Sequence, residues 1–288
     1  MKKILILSGK GGTGKTTTAA AFIEFSNAKA IADCDVDAPN LHLVTRMDTK
    51  AIKSDFIGAE KAYIDVDKCV GCKKCKDNCR FNAIKVNDNG LCQIQEYACE
   101  GCGVCEYVCP VGAVTMKEDV AGEKLLFKGD KVFSTATLKM GRGNSGKLVT
   151  DVKKDMTSAA NKDTDIAIID GSPGIGCPVI ASVSGVDLVL IVAEPSVSGK
   201  SDLERIIKTT QILNTKAVVC VNKYDTNVDK TNEIISICDK LGVPFVGKVP
   251  YDKRASKAIN EGISLASYDC PAKDALYEIY KKTIEVLT

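Results

Sequence analysis

Eight cysteines stand in two blocks of one spacing: Cys69, Cys72, Cys75 and Cys79, then Cys99, Cys102, Cys105 and Cys109, each reading C-x2-C-x2-C-x3-C. A shift of 30 residues lays one block on the other, with Gly71 on Gly101, Ala83 on Ala113 and Ile84 on Val114. A small unit has been duplicated, and outside Cys69 to Cys109 the repeat fades. Two chemistries compete for thiolates so placed. A structural zinc site usually takes two C-x2-C pairs brought together by a long loop, and four cysteines inside eleven residues serve a tetrahedron poorly. An Fe4S4 cube is wider: three closely spaced cysteines can wrap three corners while the fourth points to a second cluster. The spacing favours this crossed two-cluster arrangement over zinc or purely structural thiols. Cys92, between the blocks, matches no ligand position and reads as a small buried side chain.

A second signal is independent of the first. The apolar strand Ile4 to Leu7 runs into Gly9-Lys10-Gly11-Gly12-Thr13-Gly14-Lys15-Thr16, followed by Thr17 and a helical stretch rich in threonine and alanine. This is a P-loop in its required context. Its glycines let backbone N–H groups close on phosphate oxygens, Lys15 reaches the outer phosphates, and the Thr16 hydroxyl is placed for Mg2+. Carboxylates follow at two strand ends, where an open α/β sheet puts its chemistry. One set is Asp33, Asp35 and Asp37; the other is Asp170, which a β-branched strand delivers to Mg2+ ahead of the mobile Gly171-Ser172-Pro173-Gly174. The strand Ala217 to Val221 ends in Asn222-Lys223-Tyr224-Asp225. Read alone, N-K-x-D specifies guanine.

Residues 60–117 resemble the bacterial two-cluster ferredoxin. The resemblance implies that Cys69, Cys72, Cys75 and Cys109 hold one [4Fe-4S] cluster and that Cys99, Cys102, Cys105 and Cys79 hold the other. One departure is that Pro110 follows Cys109 as expected but Arg80 follows Cys79, and a guanidinium beside one cluster would separate the two potentials. The rest of the chain is similar to the MinD/ParA/Mrp superfamily, through Lys10 directly after the first glycine, the deviant Walker A feature. That resemblance implies an ATP-dependent homodimer in which Lys10 reaches the partner's nucleotide; the alternative is a solvated loop lysine. It implies that Asp35 orients the attacking water, that Asp33 and Asp37 lie nearer the metal shell or the interface (for Asp37 an exposed loop position is the alternative), and that Asn222 contacts adenine. ATP is then favoured over GTP.

The expected catalytic residues are Lys10, Lys15 and Asp35. Nucleotide contacts are assigned to Gly9, Lys10, Gly11, Gly12, Thr13, Gly14, Lys15, Thr16, Thr17, Asp170, Gly174, Asn222, Lys223, Pro250 and Asp252, and Mg2+ to Thr16, Asp35 and Asp170. Cys177 stands seven residues after Asp170, the spacing of a subunit-bridging cysteine in the nitrogenase iron protein. Its alternative is a buried switch-loop thiol. His42 reads as structural, and Cys34, Cys220, Cys238 and Cys270 as core.

Positioning these groups requires strands alternating with helices, hence a doubly wound, mostly parallel α/β sheet. The strands are expected at 4–7, 29–32, 166–169, 187–193, 217–221 and 245–249, the helices at 15–26, 146–160, 199–213 and 227–241. An ATPase domain of 1–59 plus 118–288 is interrupted by an α+β ferredoxin-type domain at 60–117, and Leu125 to Met140 reads as a strand pair returning to the sheet. The last helix, 272–287, carries Leu276, Ile279, Tyr280, Ile284 and Leu287 on one stripe, expected to pack on the sheet.

Composition agrees with that picture. Hydrophobic residues at 45% and charged residues at 26% exclude disorder and a membrane bundle, and a net charge of +2 without long single-sign runs points away from nucleic acid and anionic lipid. The N-terminal apolar run is too short for a signal-peptide core, so the chain reads as cytoplasmic with reduced thiols. The leading expectation is an ATPase whose nucleotide state controls electron transfer through two [4Fe-4S] clusters to an unidentified redox partner. The alternative is an ATP-dependent carrier of iron–sulfur clusters to apo-protein acceptors.

Overall fold

The computed structural model describes residues 1–45 and 47–288 and divides into two compact units. The larger comprises Met1–Lys53, Lys124–Thr137 and Ser145–Thr288, the smaller Ser54–Glu123 and Leu138–Asn144.

The larger unit is a parallel sheet built on β1 (Lys2–Leu7), whose Ile4, Leu5, Ile6 and Leu7 are wholly buried. Strand β10 (Ile166–Asp170) pairs with one edge of β1 and β11 (Leu188–Ala193) with the other, all in parallel. Beyond them lie β2 (Ala30–Asp33) beside β10 and β12 (Lys216–Asn222) beside β11, then β9 (Val132–Leu138) and β13 (Phe245–Val249). The order within this unit is β13-β12-β11-β1-β10-β2-β9, and β8 (Val120–Lys128) and β3 (Ile52–Ile57), which follow β9 in the strand order, each run across the bounds of the two units. Near-continuous apolar runs such as LVLIVA in β11 suit strands covered on both faces. Parallel register brings the carboxyl ends of β1, β2, β10 and β12 to one edge, so Asp33 lies opposite Asp170 and Asp170 opposite Ile6.

Helices cover this sheet: α1 (Lys15–Ser26), α4 (Ser145–Ala159), α5 (Cys177–Val183), α6 (Val197–Ile212), α7 (Val228–Leu241), α8 (Lys253–Asn260) and α9 (Pro271–Leu287). Helix α1 buries Ala19 through Ile23 without a polar face, as a helix enclosed by its neighbours does. It is covered by α9, whose Leu276, Ile279 and Leu287 are buried and whose Tyr280 sets its ring edge against Phe22 at 5.3 Å. The stripe expected on the last helix therefore packs on the body of the fold. Among the described residues no helix is long and apolar enough to cross a membrane.

The strand pair expected at Leu125 to Met140 is β8 and β9, with β8 beginning five residues earlier, at Val120. Strand β3 and helices α5 and α8 were not anticipated. Strand β3 buries only Phe56, and α5 is seven residues long and carries a proline at its start.

The smaller unit holds two antiparallel strand pairs, β4 (Lys61–Ile64) with β7 (Val114–Lys117) and β5 (Ile84–Val86) with β6 (Cys92–Ile94), and two single-turn helices, α2 (Lys74–Asp77) and α3 (Val104–Tyr107). The 30-residue shift carries α2 onto α3 and β5 onto β7. It also carries the pair Val86–Cys92 onto Met116–Ala62 and Ile84–Ile94 onto Val114–Ile64, so the repeat extends through β4 and β6, beyond where the sequence shows it.

Candidate functional site

The loop between β1 and α1 closes because two of its glycines take left-handed backbone, Gly12 at φ 79° and Gly14 at φ 92°. At Gly14 a β-carbon would stand 2.2 Å from the Asn222 amide nitrogen, so another residue there would both take a strained backbone and displace the Asn222 side chain. Helix α1 begins at Lys15 with no side chain capping its first turn, which leaves its N–H groups directed to the edge where an anion would sit.

Lys15 is the electrostatic centre. Its ammonium lies 2.6 Å from Asp170 Oδ1 and 3.8 Å from Asp35 Oδ2, and Thr16 Oγ1 donates to the other Asp170 oxygen at 2.7 Å. Burial works to lower the Lys15 pKa, but Asp170, then Asp35 and Asp33, overcome it and raise it, so Lys15 is a fixed cation. Burial raises the Asp35 carboxyl against the pull of Lys15.

Asp33 departs from expectation. It is wholly buried and its oxygens are taken up by backbone: Oδ1 accepts from the Asp35 N–H at 3.0 Å, and Oδ2 accepts from the N–H groups of Asn40 and Leu41 at 3.0 and 2.9 Å. It is a peg that folds the loop 34–41 so that Asp35 and Asp37 face outward. Burial and the neighbouring Asp170 charge push its pKa up to about 7.

A cavity of about 520 Å³ opens over this centre, within the range of small-molecule and cofactor sites. Lys10, Gly11, Gly12, Gly14, Lys15, Thr16 and Thr17 form its floor with Asp35 and Asp37, Asn222 and Lys223 stand beside that loop, and Pro250 and Asp252 form a further wall with apolar Val249, Leu265 and Leu276. The polar floor suits phosphates, the apolar end a base. Four expected residues stand back from this wall. Thr13 and Asp170 are buried, Gly9 is closed off by Asp202, and Gly174 donates its N–H to the Ser8 carbonyl at 3.1 Å.

Lys10 turns onto its own chain, 2.9 Å from Glu194 Oε2 and within hydrogen-bond reach of Ser196 and Ser198. Asn222, expected at a base, donates to the Thr13 carbonyl at 2.7 Å and so braces the P-loop. Lys223 donates to the Gly12 carbonyl at 3.0 Å and approaches Glu194 at 3.6 Å. Asp225 accepts the Tyr251 N–H at 2.7 Å, and Asp252 caps α8 and pairs with Arg254. Glu194 was missed, though a carboxylate just past the end of a parallel strand was a readable signal.

The cysteines of the smaller unit divide between two further cavities. One is lined by Cys69, Cys72, Cys75 and Cys109, the other by Cys79, Cys99, Cys102 and Cys105. Each four-cysteine run thus sends its last member to the other run's cavity. Two backbone bonds repeat across the duplication: Ala83 N–H to Cys79 Sγ at 3.4 Å and Ala113 N–H to Cys109 Sγ at 3.2 Å. Burial would raise the Cys109 pKa, but the N–H groups of Val111 to Val114 outweigh it and lower the value, which favours a thiolate. Among the described residues no three His, Cys, Asp or Glu side chains are gathered as a single-ion site; the thiols line walls instead. Cys92 is buried, as expected, but it also lines the first cavity and bears on Cys75, whose thiol is pushed up to about 12 by burial and then by Cys92. Arg80 is exposed, and Cys177, expected buried if not a ligand, is exposed at the start of α5. Cys34, Cys220, Cys238 and Cys270 are core, and His42 is exposed.

The profile of the CobQ/CobB/MinD/ParA nucleotide binding domain matches residues 4–265. The chain belongs to this family. An uncharacterized protein of Methanocaldococcus jannaschii is 33% identical over 293 residues, spanning 99% of this chain and 97% of its own. A Pyrococcus abyssi protein named iron-sulfur cluster carrier protein is 27% identical over 99% of this chain and 86% of its own. The crystal structure of the Pyrococcus furiosus cell division ATPase MinD superposes with a TM-score of 0.58 at 18% identity, covering 100% of this chain and 99% of that one, a likeness of fold. Family membership accounts for the P-loop, the parallel sheet and the large cavity at its carboxyl edge as a nucleotide-binding body.

Proposed function

We propose that this chain is a cytoplasmic ATPase with a deviant Walker A loop that works as an ATP-dependent homodimer, and that a ferredoxin-type module at 60–117 carries two [4Fe-4S] clusters whose electron transfer its nucleotide state controls. The observation that carries the reading is the crossed division of eight cysteines, Cys69, Cys72, Cys75 and Cys109 against Cys79, Cys99, Cys102 and Cys105. Exchange of the fourth cysteine between two C-x2-C-x2-C-x3-C runs is the ligand pattern of paired cubane sites, and four cysteines inside eleven residues serve a zinc tetrahedron poorly. The N–H donors onto Cys79 and Cys109 fit thiolate ligands, and left-handed Gly71 and Gly101 support the tight wrap of each loop. When bound, the clusters supply one-electron chemistry; the chain's part is to hold, shield and tune them.

At the nucleotide, Lys15 takes the outer phosphates and the N–H groups of Gly11 to Thr17 close on their oxygens. Thr16, Asp35 and Asp170 would hold Mg2+, which fits the cluster of carboxylates found around one lysine. Asp35, on the cavity floor beside Lys15, orients the attacking water. Lys10 would leave Glu194 to reach across the dimer, and Pro250 with the apolar far wall takes adenine, while Asn222 and Lys223 hold the loop itself.

Anaerobic purification with iron and acid-labile sulfide counts, together with Mg2+-dependent ATP hydrolysis, tests the reading. About eight iron and eight sulfide per chain are expected from two cubanes. Stoichiometric zinc without sulfide overturns it. A second reading, an ATP-dependent carrier of clusters to apo-proteins, is favoured by the names of relatives such as the Pyrococcus abyssi protein. Iron passing to an apo-acceptor on ATP hydrolysis, with both module clusters spectroscopically intact, would select it.

A further inference from the structure

The two cysteine-lined cavities are not equivalent. Strand pairing relates Val86–Cys92 to Met116–Ala62 under the same 30-residue shift that relates the cysteine runs, so Cys92 occupies in one half the place that Ala62 occupies in the other. Each lines its own cavity, Cys92 with Cys69, Cys72, Cys75 and Cys109, and Ala62 with Cys79, Cys99, Cys102 and Cys105. The first cavity therefore presents five thiols and the second four. Cys92 is 1% exposed, on a strand, and its thiol neighbours that of Cys75, which the shift relates to Cys105.

Resting on the two-cluster reading, we propose that Cys92 is a reserve ligand of the first site, placed to take over the iron held by Cys75. The exchange balances without an electron. The Cys92 thiol gives up its proton and its sulfur bonds to iron, while the Cys75–iron bond breaks and Cys75 takes the proton. A thiolate is the required donor, and one iron–sulfur bond and one proton change places between two thiols that line the same cavity. In the second half the corresponding strand position is an alanine, so the loss of Cys105 has no such remedy.

The test is a matched pair, Cys75→Ala and Cys105→Ala, purified anaerobically and compared by iron count and by electron paramagnetic resonance. Cys75→Ala is expected to keep about eight iron and two four-iron signals, and Cys105→Ala to fall to about seven with the signal of a three-iron cluster. Cys75→Ala combined with Cys92→Ala should lose what the single variant keeps. The reciprocal variant, Ala62→Cys in the Cys105→Ala background, should restore the four-iron signal at the second site, a gain that impaired folding cannot mimic. Equal losses in the matched pair, or no rescue by Ala62→Cys, overturn the inference. A wild-type protein without iron overturns instead the reading it rests on.

Discussion

Replacing Asp170 by asparagine should invert the metal dependence of nucleotide binding. Asp170 is wholly buried, and its oxygens are committed to Lys15 at 2.6 Å and Thr16 at 2.7 Å, so in the nucleotide-free protein it neutralises the lysine that must meet the phosphates. A phosphate oxygen at ordinary hydrogen-bond distance on the far side of that lysine stands about 5 Å from the carboxylate, and at an effective dielectric near 20 two unit charges there repel by about 3 kcal/mol. Part of this is relieved because Lys15 stays between them and the cavity is open to water; taking half leaves about 1.5 kcal/mol, roughly tenfold in Kd. Without Mg2+, Asp170→Asn should therefore bind ADP about tenfold tighter than wild type. With Mg2+ the same carboxylate is attractive, and the variant should bind at least tenfold more weakly. The ratio of the two dissociation constants, by titration calorimetry in EDTA and in Mg2+, should change about a hundredfold. Breaking a buried pair costs about 3 kcal/mol or more, offset in part by Asp35 at 3.8 Å, so a thermal melt must accompany the binding data. An unchanged ratio, or weaker Mg2+-free binding in a folded variant, would mean that Asp170 does not oppose the phosphates at Lys15.

Three further outcomes follow from other contacts. Asn222→Ala removes the 2.7 Å bond to the Thr13 carbonyl and should weaken nucleotide binding by about 1 kcal/mol, roughly fivefold by calorimetry, with little change in Tm. Lys153 is buried and donates to the carbonyls of Ala181, Ser182 and Ser184 at the end of α5, at 2.9, 2.7 and 2.5 Å. Lys153→Met strands those carbonyls and should cost about 2 to 3 kcal/mol, a Tm drop of roughly 4 to 12 °C by differential scanning calorimetry, leaving ADP affinity unchanged. Asp33, with its carboxyl pushed from 3.8 to about 7, binds more protons folded than unfolded within that window, so its contribution to stability falls as pH rises from about 4 to about 7. The nucleotide-free protein should accordingly lose Tm between pH 5.5 and 7.5 relative to an Asp33→Asn variant, whose melt should be flatter across that interval.

What the sequence made legible was local. The P-loop, helix α1 at Lys15–Ser26 and strand β13 at Phe245–Val249 follow from glycine spacing and apolar runs that hold within a few residues. Asp33 was misread because its partners, the N–H groups of Asn40 and Leu41, lie seven and eight residues on and carry no side-chain signature. Lys10 and Lys223 share Glu194 from a strand nearly two hundred residues from the first of them, a pairing that only the sheet order creates. Strand β3 escaped notice because its IKSDFI sequence buries one residue. The place of Cys92 was hidden for a related reason: backbone pairing preserves the duplication in β4 and β6 after the side chains have diverged to Ala62 and Cys92.

If nucleotide state acts on the clusters, redox titration of the anaerobically purified protein with and without a non-hydrolysable ATP analogue will register it. A coupling of about 1 to 3 kcal/mol, at about 59 mV per 1.4 kcal/mol for one electron, moves at least one midpoint potential by roughly 40 to 130 mV. Potentials that coincide within about 10 mV in the two nucleotide states, in a preparation that holds its full iron and binds the analogue, would mean that the nucleotide does not act on the clusters.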